Sequence, residues 1–302
     1  MIETSIHIVL LLVFPPLMLG VINKTKAFFA GRKGVPLLQA YYDIGKLLRK
    51  SLVISTTTTW IFWAGPIVSL ASVLAAGLLL PLGPFNAPLS FVGDMILFAY
   101  LFGLSRFFTT AAALDTGSAF EGMGAAREVT FALLSEPALF FALLVLAKDS
   151  GSLSLNAMLH GPAAGISASL IAPFVLIAIG LFIIMLAEGC RIPVDDPNTH
   201  LELTMIHEVM VLDHSGPLLG LVLYGAAMKL FELGSMVLHL AVPFQTSMAW
   251  LNWILLLVEL VGLSVAVGVI ESIMARLRMR HVPSLLIGAL LLCGSGFILL
   301  VR

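Results

Sequence analysis

Charge is what this chain has least of. Only 11% of its 302 residues are Asp, Glu, Lys or Arg, while 60% are hydrophobic, and the mean hydropathy is +1.07. A soluble domain carries about a quarter charged residues, so a freely soluble fold is excluded and an integral membrane protein is expected. Cysteine is nearly absent too. Cys190 and Cys293 are the two present, with no C-x-x-C pair, so an iron–sulfur cluster or cysteine-rich zinc site held by this chain alone is excluded. No cofactor is expected in the chain itself. With a formal net charge of -1 there is no basic surplus of the kind nucleic acid selects, and no nucleic-acid partner is expected. The opening "MIETSIHIVLLLVFPPLMLG" places acidic Glu3 where a signal peptide would be basic and lacks a small-residue cleavage site; it reads as a retained first span.

What the chain does have is long apolar runs. About 20 apolar residues cross the hydrocarbon as a helix, and that ruler finds spans near 3–22, 60–80, 90–114, 129–147, 163–187, 217–240, 250–273 and 282–301. The runs are continuous, without the alternation of a barrel wall. The fold class is therefore all-α, a single integral membrane domain over 1–302 with about eight transmembrane helices. Lys24, Lys26, Arg32, Lys33, Lys46, Arg49 and Lys50 crowd the connector after the first span, and Arg276, Arg278 and Arg280 the one after the seventh. Positive charge marks the cytoplasmic side, and the bias keeps phase over every span. Both termini are then expected outside the inner (cytoplasmic) membrane, with cytoplasmic docking loops at 23–59, 115–128 and 188–216.

The 188–216 segment gathers much of the titratable chemistry. Asp195-Asp196-Pro197 is a helix-start signal, and Ser215-Gly216-Pro217 a stop. Between them a short in-plane cytoplasmic helix is expected. His200, His207 and His214 recur every seven residues and would form one stripe. Neighbours would lie about 10 Å apart, too far to share a zinc ion, and Val211 occupies the second ligand position of H-E-x-x-H. A zinc site is rejected. A solvated polar face is the plainer alternative, but Leu203, Met205, Ile206, Val209, Met210, Val211 and Leu212 suit a packed helix better. "GSAFEGMGAAR" from Gly117 lacks the preceding strand and the Lys-Ser/Thr ending of a phosphate loop.

Five charges fall inside predicted spans: Arg106, Glu136, Lys229, Glu232 and Glu259. Each costs about 2.5–3.5 kcal/mol at the bilayer centre, and such residues are the usual composition of a proton or cation path. Lys229 and Glu232, three apart, also have the spacing to pair with each other. Pro137 beside Glu136 predicts a local helix distortion. Asp94, Asp115 and Glu271 sit nearer helix ends and carry less weight.

Four segments together, "GRKGVPLLQAYYDIGKLLRK" from Gly31, "ALDTGSAFEGMGAAREVTFALLSEP" from Ala113, the 187–216 stretch and "ESIMARLRM" from Glu271, resemble the membrane subunit shared by respiratory complex I (its subunit 1, or H) and the membrane-bound nickel–iron (NiFe) hydrogenases. The resemblance covers the whole chain in order. Its loops look closer to the formate hydrogenlyase and hydrogenase-4 kind than to the quinone-reducing enzyme. It implies about eight spans, a junction between a soluble redox arm and ion-pumping subunits, and loop residues Arg127, Glu128, Glu188, Arg191, Asp195 and Glu202 in coupling or docking roles. Where the quinone-reducing relatives have Pro-Phe-Asp and three glutamates, this chain has Pro193-Val194-Asp195, then Asn198, His200 and Glu202. That departure tells against quinone chemistry, with His200 placed to titrate for a lost acid.

The expected function is the membrane core subunit of a group 4 hydrogenase complex, coupling redox chemistry elsewhere to H⁺ or Na⁺ translocation. The resemblance implies a NiFe-hydrogenase-like large subunit, small iron–sulfur subunits, antiporter-like membrane subunits and membrane lipid as partners. The NiFe site and clusters would belong to them, making this chain a non-catalytic subunit. A quinone-reducing complex I subunit, a stand-alone ion-coupled transporter and a passive anchor stay open as alternatives, although no Gly- or Pro-interrupted span pair marks an inverted repeat.

Overall fold

The computed structural model describes residues 2–160, 168–196, 205–242 and 246–301. Its helices are α1 (Ile2–Phe29), α2 (Gln39–Leu48), α3 (Trp60–Leu79), α4 (Asp94–Asp115), α5 (Ala119–Ser150), α6 (Leu155–His160), α7 (Ala168–Glu188), α8 (Gly216–Ala241), α9 (Ala249–Ile273) and α10 (Val282–Val301). Among the described residues there is no β-strand, and eight helices are long and apolar enough to cross a membrane: α1, α3, α4, α5, α7, α8, α9 and α10. All coincide with predicted spans. The protein is an all-α, multi-pass membrane protein.

α8 is the axis of the bundle. Some 72% of its apolar window is buried, against 22–50% for the other spans, because α1, α3, α7 and α9 all pack around it. Its charges are thus turned into protein rather than lipid. α10 lies outermost, against α5 and α7.

Proline shapes α1. Pro16 has no N–H for the Leu12 carbonyl one turn back, and in a membrane such a carbonyl needs another donor. The Tyr224 hydroxyl of α8 supplies it at 2.6 Å. Tyr41 of α2 bonds the adjacent Val13 carbonyl, which ties the short helix to the bundle. α5, in contrast, runs on through Pro137.

The docking segments are more helical than expected. Residues 119–128 form the first turns of α5, which at 32 residues is about 48 Å long against about 30 Å of hydrocarbon. The basic connector holds α2. Asp115 and Asp94 act as ties between elements: Asp115 accepts from the Thr59 backbone N–H and hydroxyl at 2.7 Å each, at the start of α3, and Asp94 accepts from the Leu155 N–H at 2.6 Å, opening α6.

The in-plane helix expected at 197–213 is not what the described half shows. Residues 197–204, including His200 and Glu202, lie outside the described residues. From Met205 onward the chain makes only a 3₁₀ turn, Glu208–Val211, so His207 and His214 share no helical stripe.

Candidate functional site

Three carboxylates converge on one guanidinium at the end of the bundle that carries the 188–216 loop. Arg106 of α4, whose side chain is 7% exposed, donates from Nε to Glu128 Oε1 at 3.1 Å and from its terminal nitrogens to Glu136 and Glu188. The sequence arranges this simply. Glu128 and Glu136 are eight residues apart on α5, just over two turns, so both face α4; Glu188 is the last residue of α7. The Ser135 hydroxyl donates to Glu188 Oε1 at 3.0 Å. A guanidinium offers its donors in a fixed fork, which suits several carboxylates held at fixed angles. One cation among three acids leaves an excess of negative charge. Lys229 of α8 lies close enough to interact electrostatically with Glu188 and Glu128, and His207 Nδ1 stands 3.4 Å from Glu128 Oε2.

His207 links this cluster to the loop. Its own N–H and that of Ile206 donate to Asp195 Oδ2 at 3.0 and 3.1 Å, while Arg276 donates to Asp195 Oδ1 at 2.8 Å. Asp195 therefore folds the loop back on itself, where the sequence suggested a helix start. Arg127 Nη1 donates to the Met205 carbonyl at 2.7 Å and Glu121 Oε1 accepts from the Asp213 N–H at 2.9 Å. Gly124 makes the close approach possible: a Cβ there would lie 3.0 Å from Met210 Cγ and 3.3 Å from the Ile206 carbonyl. His214 stacks on Phe62 with ring centroids 4.1 Å apart, and burial pushes its proton affinity below the ordinary value. On α9, Glu271 is reached by Arg191 and Lys26 at 3.5 and 2.7 Å.

The five in-span charges thus divide. Arg106 and Glu136 join the cluster, and Glu136 is its half-open member, 46% exposed by side chain on the wall of a cavity of about 120 Å³. Lys229 borders the cluster. Lys229 and Glu232 do not form the ion pair their spacing allowed: Lys229 bonds no described residue, and both Glu232 oxygens are buried without a partner. α8 points Lys229 at Glu188 instead. Glu259 stands apart on α9, partly exposed. Sequence reasoning put little weight on Glu271 and passed over Glu121 and Lys26; the glycines flanking Met123 were the one signal of a close backbone approach.

A second cavity, of about 230 Å³, lies between α1, α2 and α8 and is lined mainly by apolar groups with Asp43, Arg191 and His207. Cys190 lines it, its thiol pushed well up by burial. Among the described residues no three His, Cys, Asp or Glu side chains converge as a metal-binding group.

Eight spans closed around a charged interior, with one loop bonded onto it, define a multi-pass membrane protein that brings polar groups from several helices together. The chain belongs to the NADH dehydrogenase family, whose match runs over residues 2–302. It is 33% identical to Hydrogenase-4 component C of Escherichia coli (strain K12), over 89% of this chain and 86% of that one. It is 30% identical to Formate hydrogenlyase subunit 4 of the same organism, over 92% and 91%. The H-type subunit of the NADH-quinone oxidoreductase of Polaromonas naphthalenivorans (strain CJ2) is 29% identical over 57% of this chain and 51% of its own. In fold, the chain matches a component of the membrane-bound sulfane sulfur reductase, an archaeal respiratory membrane complex, with a TM-score of 0.84 at 21% identity, covering 99% and 98%.

Proposed function

We propose that this chain is the membrane core subunit of a hydrogenase complex of the formate hydrogenlyase or hydrogenase-4 kind. In this reading it docks a soluble redox arm on its loops and couples that arm's electron transfer to ion translocation. One observation carries the reading: an unbroken contact chain from Asp195 through His207, Glu128 and Arg106 to half-open Glu136. A shift of the loop at Asp195 moves His207, changes the field on Glu128, and redistributes the Arg106 fork between Glu128, Glu188 and Glu136. Glu136, facing sideways, hands the change to a neighbouring membrane subunit of antiporter type. The redox centres, a NiFe site and iron–sulfur clusters, belong to the partners, and this chain works by position and charge. The full-length similarity to the two hydrogenase-complex subunits supports this partner class over the half-length similarity to the quinone oxidoreductase subunit. The positive connectors support a cytoplasmic side for the loops and an arrangement with both termini outside the inner membrane; in that arrangement a C-terminal alkaline phosphatase fusion is active and a fluorescent-protein fusion dark.

The test is Glu136→Gln in the intact complex, reconstituted in liposomes. Assembly with a hydrogenase large subunit is expected to survive, while ions moved per hydrogen evolved fall about tenfold. An unchanged ratio leaves a passive anchor.

A second reading rests on the 230 Å³ cavity, whose apolar walls and few polar groups suit a quinone-like ligand. A photoreactive short-chain quinone that labels Cys190 or the α2 residues of that cavity favours it; absence of labelling removes it.

A further inference from the structure

Among the polar groups left without a partner inside the bundle, two from different helices meet at one residue. Among the described residues Glu232, fully buried on α8, has no partner for either carboxyl oxygen, and His7, 1% exposed on α1, has none for Nδ1. Between them is Gly77 of α3. His7 Nε2 lies 3.0 Å from the Gly77 carbonyl oxygen, and Glu232 Oε1 lies 2.8 Å from where a Cβ at position 77 would sit. Glycine is thus what lets the carboxyl group reach this backbone, since any side chain there would strike it. Because a carbonyl only accepts, Nε2 carries the ring hydrogen, and Nδ1 is a buried lone pair able to take a second proton. Burying such groups without partners is costly in an apolar medium.

The two groups also have neighbours in line. On one side, Lys229 precedes Glu232 by three residues on α8 and is the charge felt at its carboxyl group; it is also the residue that borders Glu188. On the other, Glu3 precedes His7 by four residues on α1, on the same helix face, and is exposed. Lys229, Glu232, His7 and Glu3 therefore run from the Arg106 cluster to the opposite end of the bundle.

We infer that Glu232 and His7, meeting across Gly77, form a proton relay between the Arg106 cluster and the membrane face at the start of α1, and that the ion this chain itself carries is H⁺. The inference rests on the coupling reading above. In one direction the Lys229 ammonium gives a proton, through intervening water, to the Glu232 carboxylate, and the resulting acid passes it, again through water, to His7 Nδ1. The imidazolium so formed releases it to the Glu3 carboxylate or to bulk water. Lys229 takes a replacement proton from the acids of the Arg106 cluster that it borders, so each group returns to its starting form and one proton has moved from the cluster to the far face. A hard cation needs several oxygen donors around it, whereas one carboxyl and one imidazole suit a proton.

The experiment is proton uptake or release per turnover by the whole complex in liposomes, read with a pH dye, together with infrared difference spectra of the same samples. The variants are His7→Gln, Glu232→Gln and Glu232→Asp. Glutamine at position 7 can still donate to the Gly77 carbonyl but cannot take a proton. We expect protons per turnover to fall about tenfold in His7→Gln and Glu232→Gln and to recover in part in Glu232→Asp. A carboxylic-acid stretch should be present in the parent complex, absent in Glu232→Gln and displaced in His7→Gln. Unchanged translocation with an undisplaced band in His7→Gln overturns the relay, and if Glu232→Gln does not assemble, His7→Gln decides alone. Translocation by the parent complex that requires sodium also overturns it. If Glu136→Gln still abolishes coupling, only the relay has failed; if that variant too couples normally, the coupling reading has failed with it.

Discussion

The Arg106 cluster and the α8 axis are both buried and charged, yet they are built in opposite ways. Around Arg106 the acids Glu128, Glu136 and Glu188 share a guanidinium and Ser135 adds a hydroxyl. Along α8, Lys229 and Glu232 sit one turn apart and engage no described residue by hydrogen bond or ion pair. Charges that share partners in a low dielectric hold their geometry, because removing any partner leaves another uncompensated. Unpartnered ones are held only by their helix. In the function proposed above, the first region transmits a displacement and the second answers it.

Breaking the shared ion cluster should have the largest effect. Arg106→Leu strands three acids, and we expect a loss of about 3–5 kcal/mol, visible as a lower thermal-inactivation midpoint and loss of co-purifying subunits. Arg106→Lys should restore only part, since an ammonium lacks the fork. Next comes the loop tie. Asp195→Asn weakens the Arg276 contact and the bonds from Ile206 and His207, for about 1–3 kcal/mol, and should speed proteolysis within 188–216 in the isolated subunit. Smaller still is Glu259→Gln. Partly exposed and away from both regions, it should shift stability by less than about 0.5 kcal/mol and leave coupling as it was; a loss of coupling would join α9 to the axis.

The smallest effect concerns pH. Burial against Phe62 holds His214 below its ordinary value of 6.5, so the packed ring is neutral and the opened loop binds protons more readily. The contribution of this packing is then complete above about pH 6.5 and is lost as pH falls below it. Hydrogen-exchange protection of residues 205–214, corrected for the intrinsic pH dependence of exchange, should fall between pH 7 and pH 5.5, and His214→Gln should flatten that dependence.

Sequence reasoning located some parts of this design and missed others for identifiable reasons. Apolar length placed every span, because a helix must satisfy its backbone within the hydrocarbon whatever surrounds it. It singled out Arg106, Glu136, Lys229 and Glu232 as costly charges and left open a pairing of Lys229 with Glu232 that the fold does not make. Three residues apart on α8, Lys229 and Glu232 had the right spacing, but the turn of the helix against α7 directs Lys229 to Glu188. The helix assigned to 197–213 rested on Asp195-Asp196-Pro197 as a start signal; the Asp195 carboxylate instead ties the chain back through Ile206, His207 and Arg276. Glu271 read as a helix-end charge that water or a neighbouring basic residue would satisfy; the structure supplies basic residues, and only the fold identifies them as Lys26 and Arg191.

The sequence by itself determined that this protein is an all-helical membrane protein and where its spans lie. Those follow from composition and from the hydrogen-bonding demands of the bilayer, which act on each segment separately. Tertiary structure alone decided that Arg106 would hold Glu128, Glu136 and Glu188, that His207 would join them to the loop, and that His7 and Glu232 would meet at Gly77. Those partners come from different helices. Their meeting depends on how the helices rotate and close around α8, and no local property of the chain specifies that.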